Sequence, residues 1–289
     1  MFQKFRKNYF AYLMILPTLL YLIIFQIYPI FNSIWLSFTN LSFLRPDSGN
    51  FVGIKNYIAL FKDSNFPMLL GNSLLWVIGS TVLQYLIAVP VSILLNQKMA
   101  ARGFWRGLMM IPWVTPVVIM GLIWQWIYDG DHGFLNQILG TGIVWLGNKN
   151  TVWPALLLAS TWKGLPYATL MFLSGLQGIP KDLYEAGYVD GCNSWQRFKY
   201  ITIPLLKPVI FVTALTSIVQ TWTKFEVIWV LTGGGPGYET STFPTYIYSK
   251  SFIMYDMGGG SAVSVISMLF MLIFILIYLK VYKKNLSEV

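Results

Sequence analysis

The sequence has little of the residues that carry most catalytic and metal-binding chemistry. Among its 289 residues there is one cysteine, Cys192, and one histidine, His132. A disulfide within the chain and a site built from several histidines are therefore both excluded. No Gly-Lys pair occurs, which excludes a P-loop for ATP. Charged residues make up 11% of the chain, far below the level of about 25% in soluble domains. The sequence therefore predicts neither a catalytic nor a metal site in this chain.

Hydrophobic residues, by contrast, make up 56% of the chain. Six apolar runs are long enough to cross a hydrocarbon core of roughly 30 Å. They lie at about 11–34, 70–95, 107–127, 153–178, 205–231 and 262–282. The first run has no small-residue cleavage site, so it is interpreted as a retained anchor. The sequence predicts an all-α, multi-pass membrane protein with six transmembrane helices in a single domain, residues 1–289.

The basic residues predict the orientation of these spans. The formal net charge is +9, but Lys and Arg stand in short clusters between the apolar runs, as in the group of Lys4, Arg6 and Lys7. This pattern favours the lipid bilayer over nucleic acid as the partner. If the N-terminus is cytoplasmic, 13 basic residues lie in inner segments and five in outer ones. The positive-inside rule therefore places both termini in the cytoplasm.

The longest inner loop, residues 179–204, has the pattern of a surface helix. Pro180 suits a first helical turn because its missing N–H would have no partner there. Asp182 and Glu185 follow closely enough to interact with the helix dipole. Gly187 and Gly191 are expected one turn apart on one face, where a partner could approach closely.

A second short helix is expected in the same loop, capped by Asn193 or Ser194. Pro204 and Pro208 are expected to restart the chain into the fifth span. The alternative is a plain amphipathic helix resting on lipid headgroups. The early carboxylates disfavour it, because anionic lipid attracts basic helices.

Three charged side chains fall within predicted spans: Lys163, Lys224 and Glu226. Charges at bilayer depth need a cavity or a partner. Lys163 and Glu226 could form an ion pair between helices, or the lysines could contact a substrate. The hydroxyl, amide and aromatic side chains around them suit a sugar. They suit hydrogen bonding between helices equally well.

The inner loop resembles a known motif. Glu185 to Gly187, then Asp190 and Gly191, and then the segment from Ile201 to Pro208 are similar to the EAA loop of importer-type ABC transporter permeases. The version is that of the sugar family related to the maltose and glycerol phosphate transporters. Segments 51–57, 106–124, 133–136, 162–167 and 231–236 resemble that family in the same order. The resemblance implies the fold of a type I ABC importer permease.

The resemblance also implies two sets of functional residues. The set that would dock on the ATPase is Glu185, Ala186, Gly187, Asp190 and Gly191. The set that would contact the sugar is Ser160, Lys163, Gly164, Tyr167, Ser217, Gln220, Thr221 and Lys224.

The partners expected from the resemblance are a second, non-identical permease subunit, two cytoplasmic ABC ATPase subunits and an extracytoplasmic sugar-binding protein. The chain itself would hold no cofactor, because ATP and Mg²⁺ would bind the ATPase. The expected location is the cytoplasmic membrane of a bacterium or archaeon, and the expected substrate an oligosaccharide.

Three alternatives stay open. Two lysines at cavity depth would suit an anionic sugar, such as a uronate or a sugar phosphate. An ion-coupled secondary transporter would use Glu226 and the lysines as a relay, although no inverted repeat is visible. In a membrane scaffold the polar residues would only join helices.

Overall fold

The computed structural model describes residues 9–286, and within that range helices dominate and no strand of a sheet occurs. The basic group Lys4 to Lys7 lies outside the described residues. The first seven helices are α1 (Tyr9–Leu22), α2 (Tyr28–Ser37), α3 (Lys55–Lys62), α4 (Phe66–Asn96), α5 (Arg102–Val114), α6 (Val117–Ile127) and α7 (Phe134–Leu139). The others are α8 (Val152–Gln177), α9 (Lys181–Val189), α10 (Ser194–Arg197), α11 (Ile203–Thr223), α12 (Glu226–Thr232), α13 (Phe243–Tyr248) and α14 (Met257–Leu286).

Four helical stretches of the described chain are long and apolar enough to cross a membrane: Tyr12–Ser37, Phe66–Asn96, Ser194–Thr223 and Met257–Lys284. A fifth is the pair α5 and α6, if the two count as one span. The predicted span at 153–178 forms α8, which has the length for a crossing at 26 residues. The all-α prediction is confirmed, and six spans agree broadly with these helices.

Two predicted spans are not continuous. Residues 107–127 form α5 and α6, which meet at an angle of 94°. The predicted fifth span also breaks, because α11 ends at Thr223 and α12 starts at Glu226. Hydropathy does not reveal the first break, since the residues on both sides are mostly apolar, whereas the second break coincides with Lys224 and Glu226.

The start of the fifth span, by contrast, is more continuous than the sequence predicts. Asn193 caps α10 as expected, in a reciprocal capping box with Gln196. The helix then runs through a π turn, Phe198–Thr202, directly into α11, so no restart occurs. In that turn the N–H of Ile203 bonds to the carbonyl of Phe198 five residues back. The longer register comes just before Pro204, which has no N–H to continue the regular ladder.

The chain divides into two compact units. Among the described residues, the first comprises 9–66 and 246–269. Its non-helical segment after α2 is held by Asn56, whose side chain donates to the carbonyls of Ser37 (2.8 Å) and Thr39 (2.7 Å). The same segment pairs with the residues before α14, where the Phe43 N–H bonds to the Tyr255 carbonyl at 3.0 Å.

The second unit comprises residues 67–245 and 270–286 of the described chain. The long helices α8 and α11 pack side by side, and small residues of α4 and α8 are buried in the unit. Ser80, Ala88, Ala159 and Ala168 are fully buried. One apolar cluster surrounds Trp76 and Leu156, and another surrounds Phe172. This packing places the two broken helices beside α8.

Candidate functional site

The break between α5 and α6 exposes backbone within the predicted third span. Thr115 and Pro116 are extended there, with ψ of 125° and 142°. Pro116 has no N–H, so it cannot donate to the carbonyl of Pro112 four residues earlier. Non-helical backbone at membrane depth is tolerated where it is buried in protein or lines a cavity.

The break between α11 and α12 lies in the same unit. α11 ends at Thr223, Lys224 follows in an extended conformation, and Phe225 precedes α12. The Gln125 side chain on α6 donates to the Val230 carbonyl on α12 at 2.7 Å, which joins the two halves that follow the breaks.

A cavity of about 270 Å³ lies among these helices. Residues of α4, α5, α6, α8, α11 and α12 surround it. They are Gln84, Trp113, Val117, Lys163, Gly164, Tyr167, Ser217, Gln220, Thr221, Lys224, Glu226 and Val227. The lining therefore combines two amides, three hydroxyl groups, one indole and three charged groups.

Seven of the eight side chains expected to contact sugar line this cavity: Lys163, Gly164, Tyr167, Ser217, Gln220, Thr221 and Lys224. Ser160 does not line it. Its side chain is fully buried among the helices, and its carbonyl accepts from Gln84 at 3.3 Å. Ser160 lies on the same side of α8 as Gly164 but one turn nearer the start of the helix, where Gln84 of α4 packs against it.

The hydroxyl groups of the cavity are fixed by neighbouring helices. The Tyr167 and Thr216 hydroxyls are hydrogen-bonded at 3.0 Å, and the Tyr85 and Ser217 hydroxyls at 3.2 Å. Gln220 is exposed, whereas Ser217 and Thr221 are buried. The cavity therefore offers the exposed amide of Gln220 together with the hydroxyl groups of Tyr167 and Ser217, which hydrogen bonds hold in place.

The expected ion pair between Lys163 and Glu226 does not form in the described residues. The Lys163 ammonium instead donates to the carbonyls of Pro112 (3.1 Å), Trp113 (2.9 Å) and Thr115 (2.5 Å). These acceptors belong to the end of α5, where the sequence predicts continuous helix. The lysine therefore binds the break rather than a carboxylate.

Sequence reasoning did not find Gln84, whose amide lies against Gly164. A Cβ built on Gly164 would overlap that amide. The signal was present, because Gln84 is an isolated amide in the apolar run at 70–95. Its pairing with Gly164 joins two helices and is not visible in local sequence.

The inner loop forms α9, with Asp182 in the first turn. Glu185, Ala186 and Asp190 are exposed. Between them stand two large side chains that face solvent, Tyr188 (72% exposed) and Val189 (88% exposed). The exposed surface of α9 is thus apolar with a carboxylate on either side.

The sequence predicts that Gly187 and Gly191 lie on one helical face open to a partner, but the structure places neither on such a face. Gly187 is buried, and a Cβ there would meet the Ile201 side chain at 2.9 Å, so the chain itself occupies that face. Gly191 lies beyond the end of α9 with φ of +75°. The N–H groups of Gly191 and Cys192 bond back to the carbonyls of Tyr188 (3.1 Å) and Gly187 (2.9 Å). This is a Schellman cap, which requires the positive φ that glycine adopts freely.

Comparison with known proteins begins with one family model. Residues 84–286 match the model described as binding-protein-dependent transport system inner membrane component. The matched segment contains the cavity, both breaks and α9.

Two relatives are similar over most of their length. The trehalose/maltose transport system permease protein MalF of Thermococcus litoralis is 34% identical over 96% of this chain and 95% of its own. The sulfoquinovosyl glycerol transport system permease protein SmoG of Agrobacterium fabrum is 33% identical over 89% of this chain and 84% of its own.

The fold also matches a solved structure. A chain of a bacterial ABC transporter involved in the import of the acidic polysaccharide alginate superposes with a TM-score of 0.85. The match covers 98% of both chains at 20% identity. The fold is therefore that of an ABC importer permease, as the resemblance implied.

Proposed function

Because the chain belongs to the family of binding-protein-dependent transport system inner membrane components, we propose that it is the membrane subunit of an ATP-driven sugar importer. It is a multi-pass membrane protein whose relatives are named as permease proteins. The proposed substrate is an oligosaccharide, delivered by an extracytoplasmic binding protein and released into the cytoplasm.

The composition of the cavity lining is the observation that supports a sugar as the substrate. Tyr167 and Trp113 supply aromatic faces, while Ser217, Thr221 and Gln220 supply hydrogen-bonding groups. Sugars bind through that combination of stacking and hydrogen bonds. The names of the two relatives, which refer to trehalose or maltose and to a sulfoquinovosyl glycerol, support a carbohydrate.

The size of the cavity supports a second permease subunit. Its volume of about 270 Å³ is at the lower limit of small-molecule sites, which span about 300–1,000 Å³. An oligosaccharide would need more room, and a similar subunit facing this one would enlarge the cavity. We propose a heterodimer of two such permeases.

Energy would come from two cytoplasmic ATPase subunits that hold ATP and Mg²⁺, since this chain has no P-loop. The exposed surface of α9, with Glu185 and Asp190 beside Tyr188 and Val189, is the proposed docking surface. Closure of the ATPase dimer would move α9, and through the continuous helix from Ser194 to Thr223 that motion would reach the cavity. The cavity would thereby open alternately outward and inward.

The test is to tag the chain in its native cell, extract it gently and identify the copurifying proteins by mass spectrometry. A second multi-span permease and a P-loop ATPase are expected. Glu185→Lys should release the ATPase. Asp47→Lys makes the same charge change on an exposed residue of the other unit and should retain it.

Two results would contradict the proposal. One is a chain that transports alone or as a homodimer, which would favour the ion-coupled alternative. The other is retention of the ATPase by Glu185→Lys, which would remove α9 as the docking surface.

An anionic sugar is the second candidate substrate, and Lys224 favours it. Its ammonium lies at the cavity with Glu226 as a nearby opposite charge. Stimulation of ATP hydrolysis by a binding protein loaded with digalacturonate, but not with maltose or trehalose, would select this candidate. Stimulation by the neutral sugars alone would reject it.

A further inference from the structure

The end of α5 has carbonyl groups that lack their helical partners. Pro116 occupies the position whose N–H would bond to the Pro112 carbonyl, and proline has none. Thr115, the next residue toward α5, is already extended. Carbonyl groups without a donor are costly wherever water does not reach them, and a donor from the protein removes that cost.

Lys163 supplies those donors from α8. An ammonium group has three N–H bonds and no acceptor. All three are used, on the carbonyls of Pro112, Trp113 and Thr115. The positive charge also stands at the C-terminal end of α5, where the helix dipole favours a cation.

Lys224 differs, although it lines the same cavity. Within residues 9–286, its ammonium donates to no protein atom and joins no salt bridge. It lies close enough to Glu226 and Lys163 for electrostatic interaction. Its N–H groups are available to a ligand, whereas those of Lys163 are committed.

We propose that Lys163 is a positioning residue, which caps α5 and holds the bend between α5 and α6, and that Lys224 alone offers an ammonium to the sugar. This inference rests on the proposed function in so far as the cavity binds sugar. It assigns different roles to two lysines for which the sequence predicts the same role. Loss of Lys163 would loosen the bend that carries Trp113 and Val117 into the cavity.

The bend can be measured without any substrate. Spin labels are attached at Phe104→Cys on α5 and Trp126→Cys on α6, in a Cys192→Ser background and in the whole transporter complex. Both sites are exposed, at 65% and 61%. One narrow distance is expected for the wild type and for Lys224→Met, and a broader distribution for Lys163→Met. Lys163→Arg should stay narrow, because a guanidinium also donates to carbonyls.

Transport separates positioning from contact. Lys163→Met should lower uptake of maltose and of trehalose by the same factor, about ten-fold, because a displaced wall misplaces every ligand. Lys224→Met should instead raise the apparent KM and change the ratio of the two sugars. Lys163→Arg should restore the uptake.

A narrow distribution for Lys163→Met, or a changed sugar ratio, would overturn the proposal. If that variant does not accumulate, Lys163→Arg decides, since an altered sugar ratio there would also overturn it. Failure of the wild-type complex to take up maltose, trehalose or digalacturonate would count against the proposed function. The distance measurement would still decide the role of Lys163.

Discussion

At the scale of single residues, the cavity depends on the absence of a side chain at Gly164. The Gln84 amide occupies the space beside it and bonds to the Ser160 carbonyl at 3.3 Å. Any larger residue must displace that amide. The cavity wall on the α4 side is therefore set by a pair of residues 80 positions apart.

Gly164→Ala is expected to weaken apparent sugar affinity about five-fold. The added methyl group displaces Gln84 and breaks its hydrogen bond, a loss of about 1 kcal/mol. Uptake measured over a range of sugar concentrations checks this. Gly71→Ala is the control, because that helical glycine of α4 has no atom within 4 Å of the built Cβ. Equal affinity in both variants would remove Gln84 from the wall of the working site.

The expected sugar contacts stay predictions, but residues that belong to one sequence motif do lie together at the cavity. Gly164 and Tyr167 lie on the same face of α8 at helical spacing, and both line the cavity. Ser160 lies on that side of α8 too, but one turn away from Gly164, where it is fully buried beside Gln84 of α4. The sequence does not predict a role for Gln84, because that role depends on contact with another helix.

At the scale of secondary-structure elements, the sequence does not predict the breaks in two helices. Proline occurs at the break between α5 and α6, but Pro17, Pro90, Pro166 and Pro208 stand inside helices that continue. A proline alone therefore cannot identify a break. Pro116 differs from these prolines because Lys163, on the neighbouring helix α8, donates to carbonyl groups that lack their helical partners.

Gly191→Ala is expected to loosen the end of α9 by about 1 kcal/mol, because alanine is strained at positive φ. Faster amide hydrogen exchange at Cys192, whose N–H closes the cap, would show it. Gly191→Asn should lose less, because asparagine adopts the left-handed region more readily. Gly103→Ala serves as the control, since its built Cβ meets nothing within 4 Å. Unchanged exchange in Gly191→Ala would mean that the Schellman cap does not hold the end of α9.

At the scale of the whole molecule, orientation follows from the distribution of charge along the chain. No local contact decides it, because each basic group near a span end contributes only part of the bias. The proposed topology, with both termini in the cytoplasm, therefore rests on the 13 inner and five outer basic residues together. It places the exposed surface of α9 on the side where an ATPase has access to cytoplasmic ATP.

Cysteine labelling tests this topology in spheroplasts. Asp47→Cys and Lys283→Cys each introduce a thiol at an exposed position in a Cys192→Ser background. A membrane-impermeant maleimide is expected to label residue 47 in intact spheroplasts, and residue 283 only after permeabilisation, because the polar reagent cannot cross the hydrocarbon core. The opposite pattern would put α9 outside the cell, away from any ATPase that holds ATP. Coupling through Glu185 would then be impossible, so this labelling tests the proposed mechanism as well as the orientation.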